Sequence, residues 1–133
     1  VTTETPTPKR IDIAEMKSVA VEAMEPWPSN IRNDSHKHGA YEVFVGEFTM
    51  YVYQSDPGTL NFKDYPFDEY VHLLSGTAVL TDADGKAQEF NAGDSFIVPT
   101  GFTGSWELRG DYRELFMIET KSLAVGLEKL GLA

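Results

Sequence analysis

The sequence predicts a small all-β barrel with short helical segments at its two ends, and three observations carry that expectation. From Tyr41 onward, short runs of β-branched, aromatic and other apolar residues are broken by turn residues about every ten positions. Phe48, Met50 and Val52 alternate with Thr49, Tyr51 and Tyr53, the period of a strand with two different faces. Asp84-Gly85 is a strong tight-hairpin signal between two of the runs.

The chain has 133 residues, 41% hydrophobic and 24% charged, which suits one domain with a core that needs no covalent staples. It has no cysteine, so a disulfide framework, a thiolate metal site and a cysteine nucleophile are excluded together. Acidic residues outnumber basic ones 21 to 11, and the resulting field repels phosphate backbones and anionic membranes. No nucleic-acid or membrane partner is expected. No run approaches the roughly 20 apolar residues that cross a bilayer, and Val1 to Arg10 is polar rather than signal-like. A cytoplasmic protein is the default expectation, although a chain opening on Val1 leaves room for a removed segment.

Residues 1–10, rich in Thr with Pro6 and Pro8, form an expected mobile tail. Residues 11–39 read as an N-terminal extension. Within it, Ile11 to Met24 suggests a short helix with Asp12 as N-cap, ending before Pro26. Pro26 to Asn30 is a breaker cluster and Asn33 to Gly39 a polar loop. Residues 40–133 make the barrel and a closing helix. Its strands are expected at Tyr41–Val45, Glu47–Gln54, Glu69–Leu74, Ala78–Thr81, Ala87–Phe90, Ser95–Val98, Gly104–Leu108 and Arg113–Thr120. Leu123, Leu127 and Leu130 recur at helical spacing, which places a helix over Ser122–Leu130 against the outside of the barrel.

Two linked patterns make the fold more specific. Glu69 to Gly76 reads Glu-Tyr-Val-His-Leu-Leu-Ser-Gly, and Gly93 to Gly101 reads Gly-Asp-Ser-Phe-Ile-Val-Pro-Thr-Gly. Gly76 and Gly93 suit turns between strands, while Pro99 and Gly101 end one strand and redirect the chain. Together they resemble the two cupin motifs, over about Tyr41 to Glu119. With Asp68-Glu69, Leu74-Ser75-Gly76 and Gly101 to Glu107 added, the chain resembles the (S)-ureidoglycine aminohydrolase-like, ethanolamine-utilisation cupin-like domains. The resemblance implies an RmlC-like jelly-roll barrel. Those domains include a manganese-dependent aminohydrolase of two cupin domains and many uncharacterised single-domain proteins, so it transfers the fold and not the reaction.

Metal-binding cupins carry two histidines ahead of the motif-one glutamate and a third in motif two. At those spacings this chain offers Phe62 with Asp64, or Lys63 with Tyr65, and then Gly104. Only Glu69 survives, and one carboxylate does not hold a transition metal. No cofactor is expected. A substitute divalent-metal set would draw on His36, His38 and Glu69, against the simpler reading of His36 and His38 as solvated loop residues. If Glu69, Val71 and Leu73 face inward, His72 faces outward by parity.

Without a metal, chemistry would fall to acid–base groups in an apolar cavity, with Glu69, Lys63 and Tyr65 the candidate catalytic residues. Glu69 reads equally as a structural carboxylate paired with Arg or Lys, and Lys63 and Tyr65 as exposed loop residues. Tyr51, Tyr53, Trp106 and Arg113 are the candidate ligand-binding residues. Tyr51 and Tyr53 share a strand face. Trp106 shares parity with Gly104, which leaves room where an imidazole would stand. Arg113 is a candidate partner for Glu69 or a ligand anion, and alternatively a surface ion pair.

Three functions compete: a metal-independent enzyme acting on a small polar or nitrogenous metabolite, a non-catalytic ligand-binding or sensing cupin, and a metal enzyme with non-standard ligands. A small-molecule ligand is common to the first two. A homodimer through exposed sheet edges is the expected assembly.

Overall fold

The longest strands, β5 and β8, span 14 and 16 residues, Glu69–Asp82 and Gly104–Glu119, and form an antiparallel pair. In the computed structural model, which describes residues 5–132, every other strand hangs on this pair. In chain order the elements are α1 (Ile13–Met16), β1 (Glu22–Ala23), β2 (His38–Val45), β3 (Phe48–Ser55), β4 (Gly58–Phe62), β5, β6 (Ala87–Asn91), β7 (Ser95–Val98), β8 and α2 (Thr120–Leu130).

Both long strands bend midway. The β5–β8 register shifts between Leu73 and Ser75 and again between Ser75 and Thr77, and Gly76 takes φ +77 in the middle of β5. A Cβ there would press on the Arg109 and Asp111 carbonyls, so the corner requires glycine. Gly76 thus serves a bend within a strand, where the sequence suggested a turn between two. One layer comprises β1, β2, β3, the C-terminal half of β8, the N-terminal half of β5, and β7. The other comprises β4, the N-terminal half of β8, the C-terminal half of β5, and β6. All pairings are antiparallel, and the main core, including Val71, Leu73, Leu80, Val98 and Leu108, lies between the layers.

A second cluster, built on Val43, Val52, Leu74 and Leu115, lies beneath Ile11, Met16, Val19 and Val21 of the N-terminal segment. Arg113, nearly buried, ties that segment down by donating to the carbonyls of Met16 at 3.1 Å and Val19 at 2.8 Å and to the Gln54 amide oxygen. Asp12 caps α1 as expected, accepting from the Glu15 N–H at 3.2 Å. The helix runs only four residues, however, because the chain then extends and pairs at Glu22–Ala23 with β2. Of the expected tail, residues 1–4 lie outside the described residues, and 5–10 are exposed without regular secondary structure.

The sequence missed β4, whose Gly58 and Asn61 carry no strand signal. Its pairing with β8 is fixed instead by a loop: buried Arg32 donates to the carbonyls of Asp56 and Pro57 at 3.0 and 2.7 Å and pairs with Asp34 at 2.6 Å. Gly104 also differs from expectation. A Cβ there would collide with the Thr81 carbonyl oxygen, so glycine lets β8 approach β5 and adds no room to the interior.

Helix α2 closes one end of the barrel. Its first residue is anchored to the β2–β3 hairpin by Thr120 Oγ1 donating to the Gly46 carbonyl at 2.5 Å and by the Thr120 N–H to the Glu47 carbonyl at 3.0 Å. It stops at Gly131, left-handed at φ +80, where the Leu132 N–H returns to the Leu127 carbonyl at 2.9 Å. Gly126 is buried with no space for a side chain against the Phe67 ring and Pro66. Gly126→Ala is expected to lift the helix and cost about 1–3 kcal/mol by overpacking, read as a lower denaturant midpoint. Ala at neighbouring Val125, which is exposed, should change it by under about 0.5 kcal/mol.

Candidate functional site

Between the layers lies a cavity of about 350 Å³, at the small end of ligand pockets. Its wall is mostly apolar and aromatic: Leu60, Phe62, Phe67, Phe116 and Ile118 from the barrel, Trp27 from the N-terminal segment, and Leu123, Leu127 and Leu130 from α2. The exposed strand β1 borders it on one side through Glu22 and Ala23. Set into this wall are two buried carboxylates, Glu69 and Glu114, only 4% and 3% exposed.

Glu69 opens β5, where odd residues face inward with Val71 and Leu73. Tyr65 donates its hydroxyl to Glu69 Oε1 at 2.5 Å. The segment carrying Tyr65 is held by the turn after β7: the Tyr65 N–H donates to the Phe102 carbonyl at 2.9 Å, and the Gly101 N–H to the Tyr65 carbonyl at 2.8 Å. The Thr100 N–H donates to Asp68 Oδ1 at 2.8 Å. The proline–glycine turn of the second motif therefore positions the phenol on the glutamate of the first.

Glu114 is matched in the same way. Tyr112 donates its hydroxyl to Glu114 Oε1 at 2.6 Å and accepts from Trp106 Nε1 at 3.2 Å. A second polar chain begins at Trp27, whose Nε1 donates to the Tyr53 hydroxyl at 2.9 Å. His38 Nε2 lies 2.5 Å from the Glu25 carbonyl and must donate to it, so Nδ1, 2.7 Å from the Tyr53 hydroxyl, accepts from it. Burial lowers the His38 pKa, which keeps this ring neutral.

Burial pushes the Glu69 carboxyl up to about 7, with the Tyr65 hydrogen bond partly opposing the rise. Burial, followed by the charge of Glu69, raises Glu114 well above the ordinary carboxylate range. Two such groups facing one apolar space shed their protons as a linked pair rather than independently.

Of the residues singled out in the sequence, the cavity brings together Glu69, Tyr65, Tyr53, Tyr51 and Trp106. Tyr51 stacks on Phe116 and donates to Glu42 Oε1 at 3.1 Å. Lys63 is exposed and borders a separate shallow depression with Asn30 and Lys129, because the chain turns through Asp64 at φ +55 between it and Tyr65. Arg113 faces the opposite side of the sheet and meets neither Glu69 nor the cavity. His72 points outward, its Nδ1 2.9 Å from Ser95 Oγ. Glu114 is not among the residues the sequence singles out, and Arg113 beside it is the candidate there. Reading β8 as one strand exposes it: Trp106, Leu108, Tyr112, Glu114, Phe116 and Ile118 all share one parity.

The metal site that the sequence resemblance implies does not fit these residues. Phe62 contributes no donor, and Gly104 cannot carry a side chain against Thr81. Among the described residues no three His, Asp or Glu side chains converge as metal ligands. His36 and His38 do lie close, with ring centroids 5.3 Å apart, but backbone and Tyr53 contacts engage both nitrogens of each ring, and Glu69 does not join them.

The raised Glu69 pKa has a consequence for stability. The folded state binds this proton more tightly than the unfolded chain, so the stabilisation is complete below about pH 4.5 and is lost as pH rises through about 7. On the order of 3 kcal/mol is at stake. Urea melts are expected to show Glu69→Gln with a much flatter stability profile than wild type between about pH 5 and 8; parallel profiles would contradict a raised carboxyl.

Among solved structures, the chain resembles a protein of unknown function from Pseudomonas syringae with a TM-score of 0.69 and 19% identity, over 77% of this chain and 45% of that one. It thus spans under half the length of that relative. It also resembles ethanolamine utilization protein Q of Salmonella typhimurium (TM-score 0.56, 18% identity, 63% of this chain and 70% of that one). The EutQ protein of Clostridium difficile is similar as well (TM-score 0.55, 16% identity, 71% and 80%). At these identities the likeness shows the jelly-roll fold alone. No curated protein matches the sequence. The family model described as the EutQ-like cupin domain matches residues 43–114, which hold both bends, both motifs and both buried glutamates, and the chain belongs to that family.

Proposed function

We propose that this cupin binds a small molecule in the cavity between its layers and exchanges a proton with it through Glu69, without a transition metal. The observation that carries this reading is the Tyr65–Glu69 pair, buried in a mostly apolar wall that faces about 350 Å³ of space. A carboxyl pushed up to about 7 interconverts between acid and base near neutral pH at little cost. Tyr65, held by the turn after β7, fixes which oxygen of Glu69 is occupied and turns the other toward the cavity's contents.

The likeness of residues 68–76 and 93–107 to ureidoglycine aminohydrolase-like cupins agrees with a small nitrogenous ligand. Their manganese chemistry is not part of the proposal, because the donor set around Glu69 does not support it. Catalysis and binding without turnover share the same first requirement, a ligand in contact with Glu69.

Thermal-shift screening of small amines, ureas, amides, carboxylic acids and polyols is expected to yield compounds that stabilise the wild type. The same compounds should bind Glu69→Gln at least about tenfold more weakly, since the substitution removes one charge-assisted hydrogen bond while keeping shape. Unchanged affinity for Glu69→Gln would remove Glu69 from the site. Stoichiometric manganese, iron, nickel or zinc in untagged protein by elemental analysis would overturn the metal-free reading.

A further inference from the structure

We propose that the occupant of this cavity is an organic ammonium ion, a protonated primary or secondary amine on a small apolar body, with its N–H groups donated to Glu69 and Glu114. The inference rests on the binding reading above and names the ligand class for that site.

The charge and the hydrogen bonding of the wall point to a cation. Among the described residues, the cavity wall holds the carboxylates Glu22, Glu69 and Glu114 and no lysine, arginine or histidine. The two buried glutamates each have one oxygen committed to a phenol, Oε1 of Glu69 to Tyr65 and Oε1 of Glu114 to Tyr112. The second oxygen of each, Oε2, accepts no hydrogen bond from the described residues, although both side chains are more than nine-tenths buried and border the cavity. No side-chain oxygen among the described residues is both sealed from solvent and without a partner, so both Oε2 atoms are open to the cavity, where an ammonium brings donors and opposite charge together.

Among the described residues no cation borders that place. Arg32 is engaged by Asp34 and the carbonyls of Asp56 and Pro57, and Arg113 by the Met16 and Val19 carbonyls on the far side of the sheet. The remaining wall suits the same guest. Rings of Trp27, Phe62, Trp106 and Phe116 border the space, and aromatic faces attract ammonium groups while accepting an apolar body. An anion would meet three carboxyl groups and no cation, and a neutral guest would bring no charge that favours their ionised form.

A proton change should accompany binding. The groups facing the pair are Tyr65 from the loop before β5, Tyr112 from β8, Tyr53 from β3 and Glu22 from β1 at the rim. Burial holds the phenols of Tyr53, Tyr65 and Tyr112 neutral, so the proton that an incoming cation displaces comes from the glutamate pair.

Both tryptophans border the cavity or its polar chain, so their fluorescence reports occupancy. Titration with benzylammonium, benzyl alcohol and benzoate, with n-butylammonium and n-butanol as a second pair, separates charge from shape. Either ammonium is expected to bind at least about tenfold tighter than its alcohol, and benzoate more weakly still. Ammonium affinity should rise about tenfold or more between about pH 6 and 8, with proton release seen by calorimetry in buffers of different ionisation enthalpy. Glu114→Gln should weaken the ammonium and spare the alcohol. If that variant does not fold, wild-type proton release decides. Equal or tighter binding of the alcohols or benzoate, or no proton release, would overturn the cation assignment and leave the binding cavity standing. Silence from all five compounds would overturn both.

Discussion

Two carboxyl groups inside an apolar barrel, each steadied by one phenol, are the constraint around which the rest of the structure is arranged. Hydrophobic burial alone would favour neutral side chains at Glu69 and Glu114, since moving a carboxylate out of water costs several kcal/mol unless it is paired or protonated. Among the described residues no counter-ion borders them. The protein offers hydrogen bonds from Tyr65 and Tyr112, and it tolerates raised pKa values. Each phenol must in turn be placed, and that requirement reaches far into the fold. Tyr65 depends on the turn through Gly101 and Phe102, and Tyr112 on the tight approach of β8 to Gly76 at the corner of β5. Gly126 lets α2 seat against Phe67 and close the end of the same space.

The two cupin motifs acquire a mechanical meaning from this arrangement. In sequence they are separate signals, a glutamate followed by glycine and a glycine followed by proline. In the structure β7 pairs beside the start of β5, with Glu69 opposite Val98. The turn that ends β7 then falls directly on the Asp64–Asp68 segment, where backbone bonds and the Asp68 side chain receive it. Spacing between the motifs thus sets where the phenol meets the carboxylate.

Much of the fold was legible because its signals are local. Alternation in β3, the Asp-Gly hairpin and the leucine spacing of α2 each survive in place. The parts that were not legible depend on distant partners. Arg32 clamps the loop ahead of β4, whose own local signal is only the short alternation of Leu60 and Phe62 with Thr59 and Asn61. Gly104 looked like vacant space because the spacing of a lost histidine cannot reveal that the Thr81 carbonyl already fills it. Glu69 was legible by motif and by parity together. Glu114 was hidden by reading β8 as two strands, with Arg113 opening the second. Parity runs unbroken through β8, whereas the register shifts of β5 reverse it: Leu73 and Val71 face in on one side of Gly76, Ala78 and Leu80 on the other.

Aromatic residues, not cations, surround Glu69 among the described residues, and that decides what its carboxyl can do. A metal would hold Glu69 ionised whatever the pH of its surroundings, because coordination favours the deprotonated form. With Tyr65 as neighbour and Phe62 and Trp106 enclosing it, the same carboxyl becomes proton-responsive near neutrality. Glu114 strengthens the effect, since each negative charge raises the cost of the other. The barrel encloses two carboxyl groups, and among the described residues no counter-ion borders them. Its polar demand is met in part by phenols on the protein side, and the unbonded Oε2 atoms leave the remainder to whatever enters.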